Sequence, residues 1–220
     1  RTSRSRSCLR MLAAIGILLE TTAASPVPAQ EPPPPACSGA FEAVADATLV
    51  EADPATNHGA GPIFVAANAG GEQRGLIAFD LGAGFPRAAT VYLARLEMTL
   101  FELAAAPDAA ATVAASEESW SEATVTWGTR PPTLPVAVSL PLDRAPGEVV
   151  SADVTVLFRR WQQGTAATFD LVLALSEAGQ ASFFEHGVVG QPPGPRLVVS
   201  CAPVPEPIPA DPSTGDVAQQ

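Results

Sequence analysis

Four oxygen-bearing side chains lie close together near the start of the chain and could ligate a hard cation. They are Asp46, Glu51, Asp53 and Asn57. Proteins bind calcium through carboxylate and amide oxygens of this kind, so the stretch is compatible with one structural calcium ion. The spacing is not that of an EF-hand loop, and Asp and Asn in turns also hydrogen-bond their own backbone. A structural calcium site and a turn held by its own side chains are both open interpretations.

Two tryptophans and two arginines could contact an organic ligand. Trp120 and Trp127 bracket a short polar segment, and Arg130 follows it. Apolar faces of sugars stack on exposed rings, but large aromatic residues at a sheet edge also stabilise a fold by burying area. Arg74 is a candidate ligand cation or a partner for one of the many acids, and Arg130 could pair with Glu122 across the turn. Ligand-binding and structural interpretations therefore remain for all four.

Common catalytic motifs do not occur in the sequence. It has no Gly-x-Ser-x-Gly elbow, no His-Glu-x-x-His, no phosphate-binding Gly-Lys-Ser/Thr and no Gly-rich dinucleotide turn. His58 and His186 have no Cys or His at zinc-like spacing, so we expect both in turns or on the surface. The sole tyrosine, Tyr92, falls within a long predicted strand, where we expect it in the core. We therefore expect a non-enzymatic protein.

The N-terminal segment predicts export. Four arginines precede an apolar run, Met11–Leu19, and small residues up to Ala29 fit a cleavage site, so residues 1–29 are predicted to be a signal peptide. That run is too short to span a bilayer, and we expect no membrane span. Without it the net charge is about −14, which disfavours binding to nucleic acid or anionic lipid. We expect a secreted, monomeric protein.

Two cysteines and two proline-rich stretches mark the boundaries of the predicted domain. Cys8 falls in the signal peptide, which leaves Cys37 and Cys201 as the simplest disulfide of an exported chain. Prolines in residues 30–36 and 202–220 favour extended backbone without sheet pairing, so we predict a linker and a disordered tail there. The folded unit is predicted to be residues 37–201.

Short β-prone runs separated by Gly, Pro, Asn and Asp predict an antiparallel fold of two sheets. A slip in the apolar alternation between Leu93 and Leu96 indicates a bulge or bend where a long strand crosses between sheets. Helical spacing in residues 153–164, with Asp153 as N-cap and Gly164 as the stop, predicts one short helix with Trp161 on its buried face. The predicted strands are residues 47–51, 63–67, 75–79, 90–103, 111–115, 124–127, 136–140, 148–152, 169–175, 181–185 and 196–201.

Five segments together resemble a known family. DATLVEADPATNHG (46–59), QRGLIAFDL (73–81), WSEATVTWGTRP (120–131), the helix at 153–164 and PRLVVS (195–200) occur in the order of DNRLRE-type domains. These are jelly-roll modules related to carbohydrate-binding module family ninety-six. The resemblance implies an all-β, antiparallel two-sheet jelly-roll β-sandwich with one short helix. It also implies a secreted or cell-surface protein, and some similar domains bind acidic polysaccharides such as alginate.

Two functions follow from the resemblance and the residues. The first is a secreted non-catalytic module that attaches to extracellular or cell-wall polysaccharide through Trp120, Trp127, Arg74 and Arg130. It predicts an exposed aromatic residue in a groove or on a flat sheet face. The second is a structural or adhesion spacer of a surface protein, without a glycan ligand. It predicts buried Trp120 and Trp127 and no concavity of ligand size. The acidic composition disfavours a polyanionic glycan as the ligand of the first function.

Overall fold

The computed structural model describes residues 37–68, 71–106 and 108–202. The predicted signal peptide (1–29), the linker (30–36) and the tail from residue 203 onward lie outside the described residues. Within the described part there is no helix long and apolar enough to cross a membrane. The strands are β1 (Gly39–Glu42), β2 (Ala45–Val50), β3 (Ile63–Asn68), β4 (Gly71–Phe79), β5 (Thr90–Ala105), β6 (Ala110–Ser116), β7 (Thr133–Pro141), β8 (Val149–Asp153), β9 (Phe169–Leu175), β10 (Gly179–Phe183) and β11 (Arg196–Ala202). Within the described residues, one α-helix, α1 (Thr155–Gln163), and one 3₁₀ turn, Trp127–Thr129, complete the fold.

The strands pair antiparallel throughout and form two sheets. One sheet has the order β1-β11-β5-β8. The other runs β5-β10-β3-β4-β9-β6-β7, with β2 also paired to β4. The apolar residues that alternate along these strands meet between the sheets as the main hydrophobic core. The predicted all-β jelly-roll sandwich with one short helix is therefore confirmed.

Strand β5 joins the two sheets, as its predicted length suggests. Its first ten residues pair with β11 and β8, and residues 100–105 pair with β10. Its register slips at Tyr92 and at Phe101, and the pairing is regular between Leu93 and Leu96, where we predicted the bulge. The first slip turns Tyr92 outward with 65 % of its surface exposed. The prediction that Tyr92 lies in the core is wrong, because a position within a long strand does not decide which face a side chain takes, and at this bulge Tyr92 faces solvent.

Helix α1 packs one apolar face into the core. Phe158 and Trp161 have ring centroids 5.1 Å apart, and both contact Phe169 at the start of β9. Trp161 is buried, as predicted. The N-cap is Val154 and not Asp153, but Asp153 Oδ1 still accepts a hydrogen bond from the first backbone N–H of the helix at 2.9 Å. This bond satisfies one of the amides that a helix start leaves without a partner.

The segment predicted as a strand at residues 124–127 is a turn. Asn57 donates hydrogen bonds to the Val125 oxygen in this segment and to the Glu122 oxygen just before it, and Gly128 donates to the Pro54 oxygen at 2.9 Å. Thr126 and Thr129 then cap the 3₁₀ turn reciprocally. These hydrogen bonds occupy backbone groups that strand pairing would need. The segment therefore forms a turn despite its β-prone composition. Every other predicted strand overlaps an observed strand, whereas β1 was not predicted.

The predicted disulfide is present. Cys37 and Cys201 are bonded, with their Cα atoms 5.8 Å apart. Cys37 precedes β1, Cys201 lies in β11, and these two strands pair along Gly39–Glu42. The covalent link therefore joins the two ends of the domain where its first and last strands already meet.

Candidate functional site

The residues predicted to hold calcium make separate contacts. Glu51 accepts a hydrogen bond from a backbone N–H of β4 at 2.9 Å, and Asp53 accepts one from the Thr56 hydroxyl at 2.8 Å. The Asn57 oxygen accepts from the Gly59 N–H, two residues on, in the manner of an Asx turn. Each of these three side chains thus holds its own local backbone or hydroxyl partner, and Asp46 belongs to a different group.

Asp46 meets two distant residues in that group. Its Oδ2 accepts hydrogen bonds from the backbone N–H of His186 at 2.7 Å and lies 2.9 Å from His186 Nδ1. Glu122 Oε1 lies 3.9 Å from the same ring nitrogen. One ligand atom from each residue falls within 4.8 Å of the other two. Two carboxylates and an imidazole at this separation are suitable ligands for a divalent metal ion.

Tertiary structure alone assembles this acid–histidine cluster. Asp46 is buried in β2, His186 follows β10, and Glu122 belongs to the turn that Asn57 holds in place. Burial raises the pKa of Asp46, although its hydrogen bonds to His186 oppose that shift. The sequence offered no signal for the cluster, because no motif relates residues so far apart. The expectation that His186 has only a turn role therefore missed its partners.

Trp127 is a core residue in the structure. Only 9 % of its surface is exposed, and it packs in a second hydrophobic cluster between β2, β4 and β9. The Arg130 guanidinium lies over its ring at 4.4 Å, and the Arg74 guanidinium lies 5.3 Å from the ring centroid. The structure thus brings together three of the four predicted ligand-binding residues, but around a buried ring.

Both of these arginines already have protein partners. Arg74 forms an ion pair with Glu72 at 2.7 Å, as expected for a strand cation among acids. Arg130 donates to the Trp127 backbone oxygen at 2.6 Å, whereas its expected partner Glu122 lies beside His186. The guanidinium groups therefore have structural roles at this site. Trp120, the fourth predicted ligand-binding residue, is half-buried and packs against the second hydrophobic cluster.

Tyr92 lies in an open groove on another part of the surface. The groove has a volume of about 830 Å³ and runs between the start of β5 and helix α1. Arg159, Arg160 and Gln163 present their side chains from the helix, and Asp153 lies at its N-terminal end. Arg159 donates to the Val91 backbone oxygen at 2.8 Å. Among the described residues, Arg160, Gln163 and the Tyr92 hydroxyl have no hydrogen-bond partner. An exposed ring beside free polar groups is a suitable surface for a polar ligand with an apolar face.

The fold and this groove define a β-sandwich module with an open ligand-sized surface. The family model described as carbohydrate-binding module family 96 matches residues 38–192. The chain therefore belongs to carbohydrate-binding module family 96, in agreement with the resemblance seen in its sequence. No curated protein matches the chain.

Proposed function

We propose that this chain is a secreted, non-catalytic module that attaches to extracellular or cell-wall polysaccharide through the groove of Tyr92. The observation that carries the proposal is the 65 % exposure of Tyr92 inside a groove flanked by helix α1. Membership of a carbohydrate-binding module family supports the ligand class. The disulfide supports secretion, because such bonds persist in oxidising compartments.

The groove contains the two kinds of contact that a sugar ring requires. The Tyr92 ring offers an apolar surface on which the C–H face of a sugar can stack. Arg160 and Gln163 offer hydrogen-bond donors to hydroxyl groups from the adjacent helix. We therefore assign to Tyr92 the ligand-binding role predicted for Trp127, because the buried ring of Trp127 has no free face.

The charges favour a neutral glycan. The whole chain has a net charge of −11, and Asp153 lies beside the two groove arginines. The acidic chain as a whole repels a polyuronate at long range and lowers its association rate, although Arg159 and Arg160 outnumber Asp153 in the groove itself. We therefore propose a neutral polysaccharide as the ligand, and not an acidic one such as alginate.

Affinity electrophoresis of the full chain through gels that contain neutral or anionic polysaccharides tests this function. We expect retardation on at least one neutral polysaccharide, and a Tyr92→Ala variant should lose most of it. Val189→Ala is the matched control, because Val189 is 99 % exposed but does not line the groove. Unretarded migration of the wild type on every glycan would refute the proposal and favour the alternative, a structural or adhesion spacer.

We also propose that a divalent cation stabilises the module, at the acid–histidine cluster of Asp46, Glu122 and His186. The expectation from the sequence is calcium at Asp46, Glu51, Asp53 and Asn57, of which this cluster retains only Asp46. An imidazole nitrogen among the ligands favours zinc or a similar transition metal over calcium. After treatment with a chelator, Zn²⁺ should raise the unfolding temperature of the wild type but not of His186→Gln. A rise with Ca²⁺ alone would favour the calcium expectation, and no rise with either ion would refute both.

A further inference from the structure

The Tyr92 groove continues into a second depression. This middle depression has a volume of about 460 Å³ and shares Arg160 with the groove. The loop after β6, the C-terminal end of α1 and the start of β9 form its walls. Because one exposed side chain borders both concavities, a bound chain that lies over Arg160 enters each of them.

A third depression extends the same series. It has a volume of about 350 Å³ and shares Glu118 and Ser119 with the middle depression. Trp120 lines this third depression, half-buried, together with Pro131. The three concavities therefore follow one another from Tyr92, past Arg160 and Glu118, to Trp120, with an aromatic residue at each end.

The middle depression is bordered by two buried polar atoms without a hydrogen-bond partner. They are Trp161 Nε1, a donor, and Asp170 Oδ1, an acceptor. Both residues are more than nine-tenths buried, with 8 % and 6 % of their surfaces exposed. A buried polar group that has lost its water and gained no partner destabilises the folded protein. A ligand that satisfies both atoms recovers part of that lost stability on binding.

Hydroxyl groups match these atoms, because a hydroxyl accepts a hydrogen bond from an indole N–H and donates one to a carboxylate oxygen. Both atoms are covered in the free protein, so a hydroxyl reaches them only after side chains at the rim move aside. Arg160 lies at that rim, is exposed and has no hydrogen bond or ion pair within the described part of the chain. It can therefore move at little energetic cost.

We infer that the three depressions form one continuous track that binds several consecutive residues of a neutral polysaccharide. Trp161 and Asp170, at the centre of this track, form hydrogen bonds with sugar hydroxyl groups. This inference rests on the proposed function, and it adds the length of the ligand and the residues that select it. Glu117, Glu118 and Asp170 outnumber Arg160 along the middle depression. The excess of acids there disfavours a polyanionic chain.

Nuclear magnetic resonance of the indole N–H groups tests the track directly. The chain has three tryptophans, so the ¹⁵N-labelled protein gives three indole signals that Trp→Phe variants assign. The probe is a length series of oligosaccharides from the neutral polysaccharide that retards the wild type. We expect the longer oligosaccharides to shift the Trp161 and Trp120 signals, while the Trp127 signal stays in place as an internal control. Affinity should rise with length until the track is filled.

Substitution of Asp170 gives the second measurement. Asp170→Asn keeps the size of the side chain but removes the charged acceptor, so we expect about a tenfold loss of affinity for the long oligosaccharides. Asp143→Asn, which removes an exposed acid away from the track, should leave the affinity unchanged. Folding of each variant is checked by the dispersion of the same indole signals.

The outcomes separate the inference from the proposed function. If no neutral glycan binds, the proposed function fails and the track fails with it. If a glycan binds and Tyr92→Ala weakens it, but the Trp161 signal and the Asp170→Asn affinity are unchanged, only the track is refuted. In that case the two buried atoms have no part in recognition. An affinity independent of oligosaccharide length would refute the track as well.

Discussion

Replacing Trp127 by Ala should lower the free energy of unfolding by about 4 kcal/mol. Core Trp→Ala substitutions cost about 3–5 kcal/mol, and this ring is 91 % covered by the second hydrophobic cluster and its two arginines. The two guanidinium groups over the ring account for about 0.5–1 kcal/mol each of this total. The cluster consists of Ala47, Leu49, Leu76, Val125, Trp127 and Val172.

Urea unfolding followed by far-ultraviolet circular dichroism measures this loss without relying on the fluorescence of the deleted residue. Trp127→Phe, which keeps a ring in the cluster, should lose about half as much and serves if the Ala variant does not fold. Tyr92→Ala should change stability by less than about 0.5 kcal/mol, because Tyr92 is mostly exposed. If Trp127→Ala unfolds at the wild-type urea midpoint but no longer binds glycan, Trp127 is a ligand platform and our placement of it in the core is wrong.

Three further outcomes are expected. Cys37→Ser combined with Cys201→Ser should cost about 5 kcal/mol in urea unfolding, because the bond closes a loop with a sequence separation of 164 residues; a loss below about 1 kcal/mol would contradict the chain-entropy argument. Gly59→Ala should destabilise by about 2 kcal/mol or more, since its Cβ would lie 2.2 Å from the Glu122 backbone oxygen, and a wild-type melting temperature would show that the turn adjusts freely. Burial raises the pKa of Asp170, so the folded state binds this proton more tightly than the unfolded chain. The wild type should then lose stability relative to Asp170→Asn as pH rises from about 4 through the raised pKa, and thermal melts that show a difference independent of pH would refute this assignment.

Much of the fold could be predicted from the sequence because strands and helices have characteristic patterns of neighbouring residues. Short β-prone runs bounded by Gly, Pro, Asn and Asp located most strands, and helical spacing placed Trp161 on the buried face of α1. Two cysteines near the ends of the predicted domain left one simple pairing. The failures occurred where a long-range contact overrode a local pattern. The run at 124–127 has β-prone residues, yet hydrogen bonds from Asn57 hold it as a turn.

The candidate sites depend on long-range contacts even more than the secondary structure does. Tyr92 lies at a register slip in β5 and faces solvent, although its position within a long strand had suggested the core. The tryptophans in the most specific motif drew attention as ligand residues, but the packing of β2, β4 and β9 buries Trp127. Only Trp120 of the four predicted ligand-binding residues lines the inferred track.

The sequence by itself determined the class of fold, the family resemblance, the disulfide partners and the acidic charge, because each depends on residue type and local spacing. Tertiary structure decided which aromatic ring faces solvent and which acids meet a histidine. Asp46, Glu122 and His186 come from three separate segments, and the track from Tyr92 to Trp120 crosses β5, α1 and the loop after β6. Such surfaces arise only when sheets pack and loops close over them, and no local pattern in the chain encodes that arrangement.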